Sequence, residues 1–263
     1  MKNITILVAT HKKYQMPKDD IYVPIQVGSL KNEKIKDYIY DDQNDNISGK
    51  NPYYCELTGL YWAWKNLNCE YIGLAHYRRH FSECRKVAKT EEQKFQQLLT
   101  RKQIEDKLEK ADIVLPKKRN YYIENLYDHY KHTLYVEPLD KTRDIIQEIY
   151  PKYLIEFDKL KKRKSAHMFN MFIMKKEIAD EYCKWLFEIL FELEKRVDVS
   201  QYDSFHARFF GRVSELLLDV WINTNGYKYE EIKVIDMNKI DWGKKIKAFL
   251  KSKFTENRYD KSF

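Results

Sequence analysis

A chain of 263 residues, 43% hydrophobic and 15% aromatic with only 7 glycines and 6 prolines, has material for a packed core and is neither low-complexity nor loop-built. Its net charge of +8 points to an anionic partner: nucleic acid, a nucleotide phosphate or a lipid surface. The four cysteines form no CxxC pair and no metal-ligand spacing, and no secretory signal or membrane-spanning apolar run is seen. Reduced thiols in a cytoplasmic protein, soluble or peripherally bound, are therefore expected.

The first predicted element is "ITILVAT" (4–10), a β-branched run typical of a strand buried on both faces of a parallel sheet. "IYVPIQVGSL" (21–30) is extended, and its proline places it at a sheet edge or in a loop. A polar loop at 40–51 precedes a helix at 52–67, with Pro52 suited to the first turn and Leu57, Leu60, Tyr61, Trp64 and Leu67 at helical spacing. "EYIGLAHY" (70–77) is the next strand, followed by a charged amphipathic helix at 91–110 and a strand at 111–116. Residues 117–164 are rich in tyrosine and lysine, with helical patterns at 124–132 and 140–160. A strand at 167–174, helices at 176–196 and 202–223, and a strand at 229–237 complete the pattern. The tail 241–263 opens with a basic amphipathic stretch, suited to an anionic membrane surface or to packing as an ordinary surface helix. Alternating strands and helices predict a three-layer α/β fold with a mostly parallel sheet, whose ligands sit at the carboxyl ends of strands.

That rule selects two strand ends. In "HYRRH", simple alternation sends His76 and Arg78 to one side of the strand and Arg79 to the other, and guanidinium forks there suit a diphosphate. The competing reading is a surface salt-bridge cluster; a zinc set of His76, His80 and Cys84 would need a helix and lacks a fourth ligand. In "VATHK", Thr10 and His11 are placed to meet a base or ribose and Lys12 a phosphate. Asp45 and Asn46 offer short hydrogen-bonding groups in the loop before the helix, and Glu56 and Thr58 lie in that helix's first turns. His167 and Asn170 interrupt an apolar strand, where a polar group needs a partner or a ligand. Arg208, Arg212, Glu215 and Asp219 share a helix face, either as a base beside a cation or as a solvated ion-pair ladder. His129 and His132 lie among Tyr127, Tyr130 and Tyr135, an arrangement suited to an acceptor platform. The absence of P-loop, GxGxxG, GxSxG and HExxH motifs argues against the enzyme classes that carry them.

Read together, "VATHK", "PIQVG", "DNIS-x-x-N-x-x-Y-C-E-L-T-x-L-Y-W-A-W-K-N", "YIGLAHYRRHF" and "HMFNMFIM" resemble a bacterial family named after a domain of unknown function. That family occurs in capsular and exopolysaccharide loci and includes galactofuranosyltransferases. The resemblance runs from about residue 4 to 222 and is most specific over 45–81. It implies a GT-A-like glycosyltransferase, with one domain over 1–240 and the basic tail at 241–263. A donor-binding half at about 1–116 and a helical acceptor-binding half at about 117–240 are expected within that domain. By position it assigns Thr10, His11 and Lys12 to the nucleotide pocket, with Asp45, Asn46, Glu56 and Thr58 flanking the donor. Arg79, His167 and Asn170 join the nucleotide-sugar site. His76 and Arg78 stand where related folds carry acidic metal ligands, so no metal is expected, although no sequence feature forbids a divalent cation elsewhere. Likeness in "RFFGRVSELLLDVW" makes Glu215 a candidate base, with Arg212, His129 and His132 on the acceptor side.

The expected reaction is transfer of galactofuranose or another hexose from a UDP-sugar to a lipid-linked oligosaccharide at the inner membrane face. Two rivals remain at this stage. A nucleic-acid-binding protein would concentrate its basic residues, whereas 40 acidic residues are interspersed here, so no nucleic-acid partner is expected. A non-catalytic assembly scaffold would have no need of polar groups at strand ends.

Overall fold

The structure, a computed structural model, is described over residues 2–238; the predicted basic tail at 241–263 lies outside the described residues. Among the described residues ten strands form: β1 (Ile4–Thr10), β2 (Tyr22–Gln26), β3 (Ile39–Tyr40), β4 (Tyr71–His76), β5 (Arg79–Ser82), β6 (Ile113–Pro116), β7 (Arg119–Asn120), β8 (Ser165–Ala166), β9 (Phe172–Lys175) and β10 (Tyr229–Asp236). Eight of them make one sheet in the order β3-β2-β1-β4-β5-β10-β6-β9, and β7 pairs with β8 apart from it. The expected parallel arrangement holds across β3, β2, β1 and β4, and again between β10 and β6. Elsewhere the sheet is antiparallel, because β5 pairs with β4 and β10, and β9 pairs with β4 and β6. Because β3 meets β2 only at Ile25 and Gln26, Pro24 lies at an edge on that side, where a missing N–H breaks no ladder.

Alternation along β1 explains the layering. Ile4, Ile6 and Val8 face one side, where they pack with Leu99, Ile104 and Leu108. Leu7 and Ala9 face the other and join the larger core. The helices are α1 (Asn51–Tyr54), α2 (Leu57–Asn66), α3 (Glu91–Phe95), α4 (Arg101–Leu108), α5 (Leu126–Thr133), α6 (Glu137–Ile149), α7 (Leu154–Lys162), α8 (Lys176–Arg196) and α9 (Phe209–Asn225). Those from α5 to α9 form the helical layer on the Leu7 side, and α9 ends at Gly226, whose left-handed φ of 72° closes the last turn.

Five predicted elements are interrupted, each for a local reason; the pattern at 140–160 parts between α6 and α7, where Pro151 opens a tighter turn. The helix at 52–67 breaks at Cys55, whose φ of 52° stops α1 before α2 begins. The helix at 91–110 splits because Leu98 and Leu99 turn aside to meet β5, with Leu99 N–H donating to Phe81 O at 3.1 Å. The strand at 167–174 begins only at Phe172, after positive φ at Phe169 and Asn170. The helix at 202–223 starts at Phe209, because Asp203 accepts from the amides of Phe205 and His206 and holds a tighter turn ahead of it.

A fully buried carboxylate, Asp41, organises the loops that carry α1 and α2. It accepts from Gly28 N (2.8 Å), Ser29 N (3.0 Å), Ser29 Oγ (2.9 Å), Ser48 Oγ (2.6 Å) and Thr58 Oγ1 (2.5 Å). Gly28 is required there: its φ is 68°, and a Cβ would lie 2.5 Å from Asn51 Oδ1. Asp41→Ala leaves these buried donors without an acceptor and should lower stability by about 3–5 kcal/mol. The check is a reduced urea midpoint at unchanged slope, with a smaller loss for Asp41→Asn; a wild-type midpoint for Asp41→Ala would show that the loops are held otherwise.

Candidate active site

The parallel register of β1 and β4 pairs Ala9 with His76, so the carboxyl ends of both strands finish level. A cavity of about 580 Å³ opens at this point. Beyond His76 the chain reverses through Tyr77 and Arg78, and Arg79 pairs back with His76. This two-residue turn overrides the expected alternation: His76, Arg78 and Arg79 all line the one cavity. It also removes the helix that a zinc set of His76, His80 and Cys84 would need. Among the described residues no three His, Cys, Asp or Glu side chains gather as a metal site.

Five arginines reach the cavity from three parts of the chain: Arg78 and Arg79 on the hairpin, Arg119 on β7, Arg208 just before α9 and Arg212 on it. Among the described residues only Arg79 has a carboxylate within ion-pair reach, Asp236 at 3.5 Å. Arg78 Nε is buried with no acceptor among the described residues. Arg79 lies 4.4 Å from the Phe169 ring centroid and Arg212 4.0 Å from that of Phe205, so aromatic faces fix the position of both guanidinium groups. Unpaired cations held together in one cavity are the electrostatic signature of an anionic ligand.

Two carboxylates complete the cavity. Glu56 caps the start of α2 and Glu215 projects from α9. Burial, together with the charge of Glu56, pushes the Glu215 carboxyl up to about 7, against the pull of Arg79, Arg119 and Arg212. Burial also raises Glu56, opposed by a hydrogen bond from Asn170 and by Arg79 and Arg78. The histidines go the other way. Burial beside Arg78 and Arg79 holds His76 well below its usual range, and burial beside Lys12 and Arg78 lowers His11. Both are neutral imidazoles at pH 7.

Of the residues selected from the sequence, Thr10, His11, Glu56, His76, Arg78, Arg79, His129, Arg212 and Glu215 line the cavity. Thr10 also holds the turn after β1, its hydroxyl donating to Lys12 O at 2.7 Å. His129 stacks on Tyr121 at 4.0 Å, and burial lowers it to about 4. Asn170 does not line the cavity but donates to Glu56 Oε1 at 2.8 Å.

The remaining candidates are occupied elsewhere. Lys12 rests over the Tyr77 ring at 5.4 Å, outside the cavity lining. Asp45 accepts from Tyr61, and Asn46 donates to the carbonyls of Asp42 and Asn44. Thr58 is committed to Asp41. His132 turns to Glu124 at 3.0 Å. His167 is buried between Asp219 and Glu231, which also removes Asp219 from the expected ladder. Arg119 and Phe169 were not selected from the sequence. Arg119 sits in the tyrosine- and lysine-rich stretch without periodicity, and Phe169 looks like one more apolar residue of a strand.

Similarity to other proteins agrees with this geometry. The apo structure of the bifunctional glycosyltransferase WbbM matches with a TM-score of 0.82 at 30% identity, covering 90% of this chain and 46% of that one. The chain thus spans just under half the length of that protein. No curated protein is significantly similar. The fold is GT-A-like, an α/β architecture with a central sheet shared with a glycosyltransferase. Residues 5–226 match the family described as "Domain of unknown function (DUF4422)", and the chain belongs to that family.

Proposed function

We propose that the chain is a glycosyltransferase and that the cavity holds a UDP-sugar, with galactofuranose or another hexose as the sugar. The observation that carries this reading is the convergence of five arginines and two carboxylates at the carboxyl ends of β1 and β4. The likeness to a bifunctional glycosyltransferase supports it. In the proposed reaction the acceptor oxygen bonds to the anomeric carbon while the bond from that carbon to the diphosphate oxygen breaks. Glu215 takes the acceptor's proton, and the leaving diphosphate collects its charge against Arg78, Arg79 and Arg119. Related folds carry acidic metal ligands at the end of the strand corresponding to β4. Here that end bears Arg78 and Arg79, whose charge repels a divalent cation, beside the single imidazole of His76, so this donor set does not suit one. His129 and Arg212 also line the cavity, and in this proposal they meet a lipid-linked oligosaccharide acceptor of capsular or exopolysaccharide synthesis. A cytoplasmic location at the inner membrane face goes with that acceptor. No helix among the described residues is long and apolar enough to cross a membrane.

Calorimetric titration with UDP is expected to show binding in EDTA and no large gain with manganese. Arg78→Ala should weaken UDP by roughly tenfold to a hundredfold, the loss of about 1.5–3 kcal/mol for a charge-assisted hydrogen bond, at unchanged melting temperature. Absence of UDP binding in both conditions would overturn the reading; binding only with manganese would move the diphosphate away from the hairpin.

Glu215 must be ionised to accept a proton, so activity should fall as pH drops through about 7 and level off above it. Glu215→Gln should lower kcat by roughly 10²–10⁴-fold and leave UDP affinity within a few-fold. A variant retaining wild-type kcat would remove Glu215 from the reaction.

A further inference from the structure

One of the two carboxylates, Glu56, is held from behind by a buried side chain. Asn170 is buried, 3% exposed, and both polar atoms of its side chain are engaged. Its Nδ2 donates to Glu56 Oε1 at 2.8 Å and to Gly211 O at 3.0 Å, while its Oδ1 accepts from Ser214 Oγ at 2.7 Å. Gly211 and Ser214 belong to α9, the helix that carries Glu215. One amide therefore ties the start of α2 to the helix opposite.

The backbone here is unusual as well. Phe169 and Asn170 have φ of 82° and 52°, two successive non-glycine residues in the left-handed region, where such strain persists only if the surroundings hold it. The turn delivers Phe169 beneath Arg79 and Asn170 behind Glu56. A strand continuing through 167–171 would deliver neither.

An amide N–H donated to a carboxylate favours its ionised form. The other charged groups lining the cavity are Glu215 and Arg212 on α9, Arg208 before it, Arg78 and Arg79 on the hairpin, and Arg119 on β7, with the imidazoles of His11 after β1, His76 on β4 and His129 on α5. Only Glu215 among them is acidic, and the charge of Glu56 raises it. We propose that Asn170 is a positioning residue: it holds Glu56 ionised and in place, and leaves Glu215 as the carboxylate that takes up the acceptor's proton. This assignment deepens the glycosyltransferase reading, since it names what prepares the proposed base.

The test is a carbon-13 NMR titration of glutamate-labelled full-length protein, with Glu56 and Glu215 signals assigned through E56Q and E215Q. In Asn170→Gly, which keeps the left-handed backbone accessible, the Glu56 midpoint should rise by about one pH unit, a tenfold change in its protonated-to-ionised ratio. The Glu215 midpoint should fall, and the acid limb of activity should move down in pH with it. UDP affinity and melting temperature separate this from a general loss of structure. Should Asn170→Gly not fold, Asn170→Asp keeps the shape and the Ser214 contact, removes the donor, and should shift Glu56 in the same direction. Unmoved midpoints in a folded variant overturn the role of Asn170, whatever the reaction. Moved midpoints in a protein that transfers no sugar would leave that role standing and remove the glycosyltransferase reading.

Discussion

Like charges do not gather unless something stronger than their repulsion holds them, and the site depends on that constraint. Four guanidinium groups without carboxylate partners among the described residues share a cavity of about 580 Å³. The force that brings them together is not electrostatic. It is sheet register, which sets the ends of β1 and β4 level, together with a reversal so tight that both hairpin arginines face one way. Helix α9 brings Arg212 and Glu215 because its other face, with Phe210, Val213 and Leu217, is sealed in the core. Hydrophobic burial thus supplies the free energy by which an uncomfortable electrostatic arrangement is maintained.

A second consequence concerns the two sides of the cavity. Asp41 fixes the loops from which α1 and α2 start, so the position of Glu56 rests on a buried carboxylate outside the cavity lining. Asn170 fixes the orientation of the same glutamate from behind. Glu56 is thus held by hydrogen bonds among buried groups, and Arg79 and Arg212 by aromatic faces.

The strands were legible in the sequence wherever β-branched runs made the period plain, as in 4–10 and 71–76, and the long helices wherever one face was apolar, as in 176–196. Two of the missed breaks lie where single residues leave their regular region. Cys55, Phe169 and Asn170 all adopt positive φ without being glycine, and no periodicity marks them. The cavity residues at the ends of β1 and β4 could be chosen from strand-end logic. Arg119 could not, since it arrives through the separate pairing of β7 with β8, a contact between distant parts of the chain. Asp45 and Asn46 were selected as polar loop residues, yet the loop spends them on its own shape. Asp41, a few positions earlier, has the same composition around it and is the one that organises the fold.

The hairpin has one further property. Tyr77 N–H donates to Ala9 O at 3.1 Å, Arg78 N–H to His76 Nδ1 at 3.3 Å, and Arg78 O accepts from Met237 N at 2.8 Å. These main-chain groups are thus engaged within the fold, and the turn presents the side chains of Arg78 and Arg79 to the cavity. A glycine-rich phosphate loop works the opposite way, offering amides that mutation cannot alter. Preference here is written in replaceable letters, so relatives can diverge in what they recognise by point substitution while the scaffold beneath stays the same.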